Sequence, residues 1–294
     1  MSVDQIRPTD PLCLPFWVLA AEQDKAQHWQ ALLSDKNVQL DLQIHADPLR
    51  SKDLRQQPEL ALLLDQDGLW LAADGMRMQP DWIGQLPRLK RATIKTELAA
   101  RACQVEQQPF IIDATAGMGH DGLLLARLGA SVTLVEQHPV VWALLLSAMQ
   151  QAQSNPHLAK ISQRMQLVYA NTVDWLAEQY FEQSVQQQAD VVYLDPMFPK
   201  PEQPDKQQPL VKKEMQILQK LFSASTDAGD ALLAPARQAA KRVIVKRPKL
   251  APALAGIAPD HQWLGDACRF DGYFRIDEHP SEKNQANTQI QDGV

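Results

Sequence analysis

The chain has 294 residues, of which 45% are hydrophobic and 22% are charged, and its formal net charge is −6. This length and composition predict a globular protein with one large core or two modest ones. The negative charge argues against nonspecific binding of nucleic acid over the whole surface.

The cysteines and the N-terminal apolar run exclude further classes. Cys13, Cys103 and Cys268 are isolated, without metal-ligand spacing, so they predict no disulfide framework, no metal site and a reducing cytoplasm. The run at 12–21 is short, contains Pro15 and lacks a preceding basic segment. It therefore predicts neither a signal peptide nor a membrane span.

Residues 1–85 predict a small α+β domain. Apolar periodicity and turn residues indicate, in chain order, a strand at 14–20, a helix at 22–34, a half-buried strand at 38–44, and a hairpin at 60–72 turning at Asp67-Gly68. No recognisable chemistry lies here, so we expect this domain to pack beside the larger sheet and to shape a substrate surface.

Residues 86–277 predict an α/β domain with a Rossmann-like sheet, because strands and helices alternate. A boundary is expected at 80–87. The predicted strands are 110–112, 131–135, 165–169, 189–194 and 242–246, with a closing antiparallel pair at 262–264 and 269–276. The predicted helices are 93–103, 123–128, 139–153, 173–183, 210–222 and 231–240. The polar stretch 278–294 predicts a disordered tail.

A glycine-rich turn follows the strand at 110–112. Its glycines, Gly117, Gly119 and Gly122, satisfy the dinucleotide pattern G-x-G-x-x-G. However, Asp113 ends the strand four residues before the first glycine, where an anion would repel a pyrophosphate. The turn instead resembles motif I of class I S-adenosylmethionine-dependent methyltransferases, whose ligand carries a sulfonium and an amino group. A dehydrogenase remains a minor alternative.

Glu136 ends the next strand, about 20 residues after the first glycine, where a carboxylate can accept both ribose hydroxyls of a nucleoside. The alternative is a solvated charge at a strand end. Asn171 and Thr172 follow the third strand, where Thr172 either caps a helix or contacts a ligand.

Asp195-Pro-Met-Phe198 follows the fourth strand. It resembles the Asp/Asn-Pro-Pro-aromatic motif of methyltransferases that modify exocyclic or amide nitrogens. The Asp195 carboxylate and the Pro196 carbonyl can accept the two N–H groups of such a nitrogen, and Phe198 can stack on a flat base. The alternative is a plain turn after a strand.

Together these motifs resemble one family, the bacterial ribosomal RNA small subunit methyltransferases J. The resemblance covers about 95–275 and rests on the segments at 113–119, 136–141, 192–199, 210–215, 242–248 and 269–271. It implies transfer of a methyl group from S-adenosylmethionine to N2 of a guanosine in 16S rRNA, with 16S rRNA or the small ribosomal subunit as partner.

The resemblance also implies the site residues. The catalytic set is Asp195, Pro196 and Phe198. The cofactor-binding set is Asp113, Gly117, Gly119, His120, Asp121, Glu136, Gln137, Asn171, Thr172 and Asp195. His120 and Gln137 stand where the family commonly has Arg, and 92–95 replaces a glycine-rich basic segment. We assign His120 no catalytic role, because a helix N-terminus disfavours the imidazolium.

Two basic clusters occur in the sequence despite its negative net charge. One comprises Arg88, Lys90, Arg91, Lys95 and Arg101, and the other Lys241, Arg242, Lys246, Arg247 and Lys249. Each can be a solvated face. Because Lys212, Lys213, Lys246 and Arg247 flank the predicted ligand edge, we expect them to bind RNA phosphates.

Two alternatives stay open. The Asp195 tetrapeptide does not encode its substrate, so another planar nitrogen, in a DNA base or a protein glutamine, is possible. An RNA-binding module without catalysis is the other alternative, against which the intact Asp195 and the glycine turn argue.

Overall fold

The computed structural model describes residues 10–57, 59–182, 188–196, 213–222 and 229–275, and these ranges form two β-sheets flanked by helices. The predicted α/β class and the Rossmann-like sheet are confirmed. The predicted tail at 278–294, the last residue of the helix at 173–183 and the first three residues of the helix at 210–222 lie outside the described residues.

The N-terminal sheet has five strands in the order β2-β1-β3-β4-β5. Its elements are β1 Leu12–Leu19, α1 Gln23–Ser34, β2 Val38–His45, α2 Ser51–Gln56, β3 Ala61–Asp65, β4 Gly68–Ala73 and β5 Met76–Met78. As predicted, β1 and β2 are joined through α1, and β3 and β4 form a hairpin. The short α2 and β5 are additions to the predicted pattern.

The larger sheet has seven strands in the order β11-β12-β10-β9-β6-β7-β8. Its elements are α3 Leu86–Arg91, α4 Leu98–Ala102, β6 Phe110–Asp113, α5 His120–Leu128, β7 Ser131–Glu136, α6 Pro139–Ser154, α7 Ala159–Ser162, β8 Met165–Tyr169, α8 Thr172–Glu182, β9 Ala189–Leu194, α9 Lys213–Leu221, α10 Asp230–Ala239, β10 Ala240–Pro248, β11 His261–Leu264 and β12 Cys268–Phe274.

Strands β10, β9, β6, β7 and β8 are parallel, so their carboxyl ends meet at one edge, called here the ligand edge. The chain leaves β6 toward β7 and β8 on one side and returns to β9 on the other, which makes the β6–β9 boundary the topological switch point. Ligands of open α/β sheets bind at such a point.

The helix predicted at 93–103 is shorter in the structure. The side chain of Thr96 accepts a hydrogen bond from the backbone N–H of Thr93, and the Thr93 hydroxyl accepts one from the N–H of Thr96. These local bonds close a turn that competes with helix, so α4 begins only at Leu98. The expected boundary at 80–87 contains the start of α3, with Pro87 in its first turn.

Helix α6 packs against both sheets. Val140 and Leu144 lie in one apolar cluster with Phe16 of β1 and Leu71 of β4. The Ser147 hydroxyl accepts a hydrogen bond of 3.1 Å from the N–H of Leu69. The N-terminal sheet is thereby held against the helix that follows Glu136, while the division of the chain at residue 85 stays a prediction.

A buried ion pair holds the segment that follows β10 in place. Arg269 donates to Asp271 through Nε (2.8 Å) and Nη2 (3.0 Å), and Asp271 is 0% exposed. Nη1 of Arg269 donates to the carbonyls of Pro248 and Lys249. This arginine therefore joins β12 to the segment that leaves β10.

We expect Arg269→Met to lower the free energy of unfolding in urea by roughly 3–5 kcal/mol, because the Asp271 carboxylate would stay buried without its partner. The control is Lys241→Met, which breaks the exposed Lys241–Asp190 pair and should cost no more than about 1 kcal/mol. Equal stability of the two variants would contradict a structural role for the buried pair.

Candidate active site

The site lies at the switch point of the ligand edge. Asp113 ends β6, Glu136 ends β7, and Asp195 follows β9. The register pairs Val245 of β10 with Leu194 of β9, so Lys246 comes out beside Asp195. The parallel sheet therefore brings together residues that are up to 133 positions apart in the sequence.

The glycine loop between β6 and α5 is open at one glycine and packed at another. Gly117 has φ +53°, and a Cβ there would meet only the Thr115 carbonyl, at 3.8 Å. Gly119 has φ +68°, and a Cβ there would lie 2.9 Å from Trp82 and 2.8 Å from Leu145. The loop therefore leaves space above Gly117 and cannot take a larger residue at Gly119 without rearrangement.

Trp82 holds this loop from outside the larger sheet. Its indole Nε1 donates a 3.0 Å hydrogen bond to the carbonyl of Met118, and its ring is buried. The segment before α3 is thus attached directly to the glycine loop.

Glu136 connects the glycine loop to α6. One carboxylate oxygen accepts from the N–H of Gly117 (3.1 Å), and the other accepts from the N–H of His138 (2.7 Å). Burial raises the pKa of Glu136 to about 7, although the backbone hydrogen bonds from His138, Gly117 and Gln137 lower it. This carboxylate therefore titrates near neutral pH.

Lys246 lies between two carboxylates. Its Nζ is 2.7 Å from Oδ2 of Asp121 and 2.9 Å from Oδ2 of Asp195. The Tyr193 hydroxyl donates a further hydrogen bond of 2.7 Å to Asp121. Burial disfavours the charged ammonium, but Asp121 and Asp195 outweigh it and raise the pKa of Lys246. Lys246 is thus a fixed positive charge in an acidic site.

The same network keeps Asp121 ionised. Burial would raise its pKa, yet the Lys246 charge and the hydrogen bonds from Lys246 and Tyr193, with a smaller contribution from Arg88, lower the pKa overall. Asp121 therefore acts as the anionic anchor of the lysine.

Asp113 and Thr115 complete the centre. Asp113 is buried, and one carboxyl oxygen accepts from the N–H of Thr115. Burial, and then the nearby Asp121, raise the pKa of Asp113 to about 8, so a positively charged ligand would be needed to favour its ionised form at neutral pH. The Thr115 hydroxyl accepts a 2.6 Å hydrogen bond from the N–H of Asp195, which ties the end of β9 to the end of β6.

The other predicted cofactor residues lie at the same edge. His120 is the first residue of α5, and Gln137 is exposed after β7. Of the two alternatives for Thr172, the helix cap is wrong, and the ligand contact stays a prediction. The side chain of Asn171 accepts from the N–H groups of Val173 and Asp174, whereas Thr172 is buried. Asn is the stronger N-cap, since its carbonyl oxygen reaches the first free N–H groups.

The predicted catalytic and RNA-binding residues are only partly described. Pro196 is buried and packs against Gly229 at the start of α10. Phe198 and Lys212 lie outside the described residues, and Lys213 begins α9.

Lys246 and Arg247, which were predicted to bind RNA, are both hydrogen-bonded within the protein. Lys246 is bonded within the site, and Arg247 is 4% exposed and donates to the carbonyl of Pro252. Successive side chains of a strand face opposite sides, so these neighbours have different roles. An RNA contact by either residue stays a prediction without geometric support.

Three contributors escaped the sequence interpretation. Thr115 and Tyr193 belong to the two motifs but are not among the predicted site residues. His138 accepts from the N–H of Val140 through Nδ1 and so caps α6, and burial lowers its pKa to about 4. Its signal was the His-Pro pair at a helix start, because a neutral imidazole can accept a hydrogen bond there.

The donor set fits S-adenosylmethionine. Asp113, Asp121, Glu136 and Asp195 surround the loop with carboxylates, which suit a sulfonium, an amino group and ribose hydroxyls rather than a pyrophosphate. Glu136 would hold the ribose, and the space over Gly117 would admit the ligand close to the backbone. Among the described residues no cluster of three or more His, Cys, Asp or Glu side chains is arranged to hold a metal ion. In the part of the chain that the structure covers, no helix is long and apolar enough to cross a membrane.

Fold and site together define an S-adenosylmethionine-dependent methyltransferase. In agreement, the family described as "Putative SAM-dependent methyltransferase" matches residues 32–275. A protein of Acinetobacter baumannii, the ribosomal RNA small subunit methyltransferase J, is 50% identical over 258 residues, which cover 86% of this chain and 91% of that protein. The chain belongs to the ribosomal RNA small subunit methyltransferase J family.

More distant relatives support the same assignment. The protein of the same name from Psychrobacter arcticus is 35% identical over 93% of this chain and 99% of its own length. The crystal structure of an S-adenosylmethionine-dependent methyltransferase from Neisseria gonorrhoeae superposes with a TM-score of 0.65 at 29% identity, covering 88% of this chain and 95% of that chain. The likeness therefore includes most of the N-terminal sheet.

With a pKa of about 7, Glu136 should make cofactor affinity depend on pH. We expect ribose hydroxyls to donate to the ionised carboxylate, so protonation below pH about 7 should weaken binding of S-adenosylhomocysteine by roughly tenfold between pH 8 and pH 6. Isothermal titration of the wild type and of Glu136→Gln measures this effect. The variant should bind roughly tenfold or more weakly at pH 8, because a hydrogen bond to a charged group is lost, and should show a smaller pH dependence. The same pH dependence in both proteins would exclude Glu136 as the ribose acceptor.

Proposed function

We propose that the protein methylates the exocyclic N2 of a guanosine in 16S ribosomal RNA. The names of its relatives support a small-subunit ribosomal RNA substrate. The exposure and the hydrogen bonding of the Asp195 side chain favour a planar amine as the group that is methylated. Its side chain is 39% exposed, and Lys246 holds Oδ2. Oδ1 has no hydrogen-bond partner within the described residues, so it can accept an N–H group from a substrate.

The chemistry requires positioning rather than a strong base. A guanine amino group is a poor nucleophile because its lone pair is delocalised into the ring. Acceptance of its two N–H groups by Oδ1 of Asp195 and by the Pro196 carbonyl would turn the lone pair toward the site of reaction. S-adenosylmethionine, when bound, supplies an electrophilic methyl group next to the sulfonium. The amine becomes acidic once methylated, so its proton can pass to Asp195 or to water without a dedicated base.

Lys246 acts in this scheme as a positioning residue. It remains protonated and therefore cannot serve as a base. Its ammonium fixes the direction of the Asp195 carboxylate and offsets the repulsion between Asp121 and Asp195. The hydrogen bond from the N–H of Asp195 to the Thr115 hydroxyl fixes the backbone at the same point.

The remaining parts of the proposal concern the substrate and its place. Phe198 would stack on the guanine, as its position in the Asp195 motif implies. The substrate is either 16S rRNA or an assembled small subunit, and the cytoplasm is where that RNA is found. The three cysteines, all free thiols, agree with a reducing compartment.

The test combines product identification with variants of Asp195. The purified protein, given the cofactor and 16S rRNA, should form 2-methylguanosine, detected by nucleoside mass spectrometry. Asp195→Ala should abolish transfer in single-turnover assays. Asp195→Asn should keep partial activity, because the amide retains one oxygen acceptor of nearly the same shape. A different methylated nucleoside would refute the N2 assignment, and near-wild-type rates in both variants would remove Asp195 from the reaction centre.

Lys246 variants separate positioning from RNA binding. We expect Lys246→Met to lower the single-turnover rate at saturating RNA by roughly tenfold to a hundredfold, since a charged hydrogen bond to Asp195 is lost, and Lys246→Arg to recover part of it. The dependence of RNA affinity on salt should not change. Lys241→Met, at the other end of β10, is the control and should leave both quantities unchanged. A normal rate with a smaller salt dependence would show that Lys246 contacts phosphate instead.

A further inference from the structure

An RNA methyltransferase with a net charge of −6 needs a local positive surface for phosphates. Lys246 and Arg247 do not provide it, because both are bonded within the protein. We propose that Lys90, Arg91 and Lys95, called here the basic strip, bind phosphates of the RNA substrate and guide the target guanosine to Asp195. This inference rests on the proposed function and adds the surface of the protein that binds the RNA.

Local packing turns the basic strip outward. In α3, Leu89 is buried in the same apolar cluster as Trp82 and Ala116 of the glycine loop, and Ala92 is buried directly after the helix. The helix can bury only one face, so Lys90 and Arg91 are exposed. Lys95 is exposed in the turn that follows.

The segment that carries the basic strip is attached to the larger domain at both ends, through Trp82 and through Leu98. On one side, Trp82 is hydrogen-bonded to Met118 of the glycine loop. On the other side, Leu98 Cδ2 lies 3.2 Å from where a Cβ of Gly265 would be, just before β12. Cys268, the first residue of β12, pairs with Pro248, two residues after Lys246. The basic strip is therefore carried by a segment that extends from the glycine loop to the strand ends beside Asp195.

The charges of the strip are not neutralised within the described residues. Arg88 of the same helix is paired with Glu97, with Nη2 3.1 Å from the carboxylate. No ion pair joins Lys90, Arg91 or Lys95 to an acidic group in the described ranges. Three exposed cations on a segment that is hydrogen-bonded to the glycine loop match the sequence-independent part of RNA recognition.

A matched pair of triple variants tests the proposal. The strip variant carries Lys90→Gln, Arg91→Gln and Lys95→Gln. The control carries Arg127→Gln, Lys160→Gln and Arg164→Gln, which are exposed near the opposite edge of the sheet and have no ion pair in the described ranges. Both variants lose three positive charges, so the change in net charge is the same and its position differs.

In the strip variant, the slope of log RNA affinity against log salt should become less steep by about two to three, since each phosphate contact contributes roughly 0.7–0.9. The KM for RNA should rise roughly tenfold or more at physiological salt. Affinity for S-adenosylhomocysteine and the rate at saturating RNA should stay at wild-type values. The control variant should retain the wild-type slope, and a Lys90→Arg, Lys95→Arg variant should do the same.

Equal slopes in the strip variant and the wild type would overturn the proposal. So would equal losses in the strip and control variants, because these would reflect overall charge, or a loss of cofactor affinity in the strip variant. A wild-type protein that does not methylate 16S rRNA would refute the proposed function itself, which is a different result from an unchanged slope in an active enzyme.

Discussion

The site depends on the ammonium of Lys246 between Asp121 and Asp195. Four carboxylates meet where parallel strands end, and two of them, Asp113 and Glu136, are buried enough for their pKa values to rise to about 8 and about 7. Without an internal cation, Asp195 would share this region only with other acids and would be driven toward protonation. Burial raises the pKa of Asp195, whereas Lys246 counters that rise and directs the carboxylate as an acceptor, and we expect the remaining carboxylates to receive a cationic cofactor.

The rest of the fold keeps this edge in place. Glu136 joins the glycine loop to α6, and α6 shares an apolar cluster with the N-terminal sheet. Trp82 joins the segment before α3 to the same loop. The N-terminal third of the chain is therefore attached to the helix and the loop on either side of Glu136, and the segment that follows it carries the exposed basic groups that we propose bind the substrate.

The sequence was sufficient for most strands, the longer helices and the cofactor class, because apolar periodicity and the glycine turn are local signals. The short elements α2, α3, α7 and β5 were not predicted, and the helix predicted at 93–103 begins only at Leu98. The sequence was insufficient where the role of a residue depends on the direction in which its side chain points. Lys246 and Arg247 together suggest a basic surface, yet one points into the active site and the other into the protein. The pairing of β10 with β9, which cannot be read from the sequence, places Lys246 beside Asp195. Likewise, the sequence suggested only Thr172 as a cap for α8, whereas in the structure the side chain of Asn171 accepts from the N–H groups of Val173 and Asp174.

The most direct measurement is nucleoside mass spectrometry of 16S rRNA from cells that lack this gene. The account predicts that one 2-methylguanosine disappears, returns when the wild-type gene is supplied, and does not return with Asp195→Ala. An unchanged content of 2-methylguanosine in the deletion strain, or its restoration by Asp195→Ala, would contradict the account.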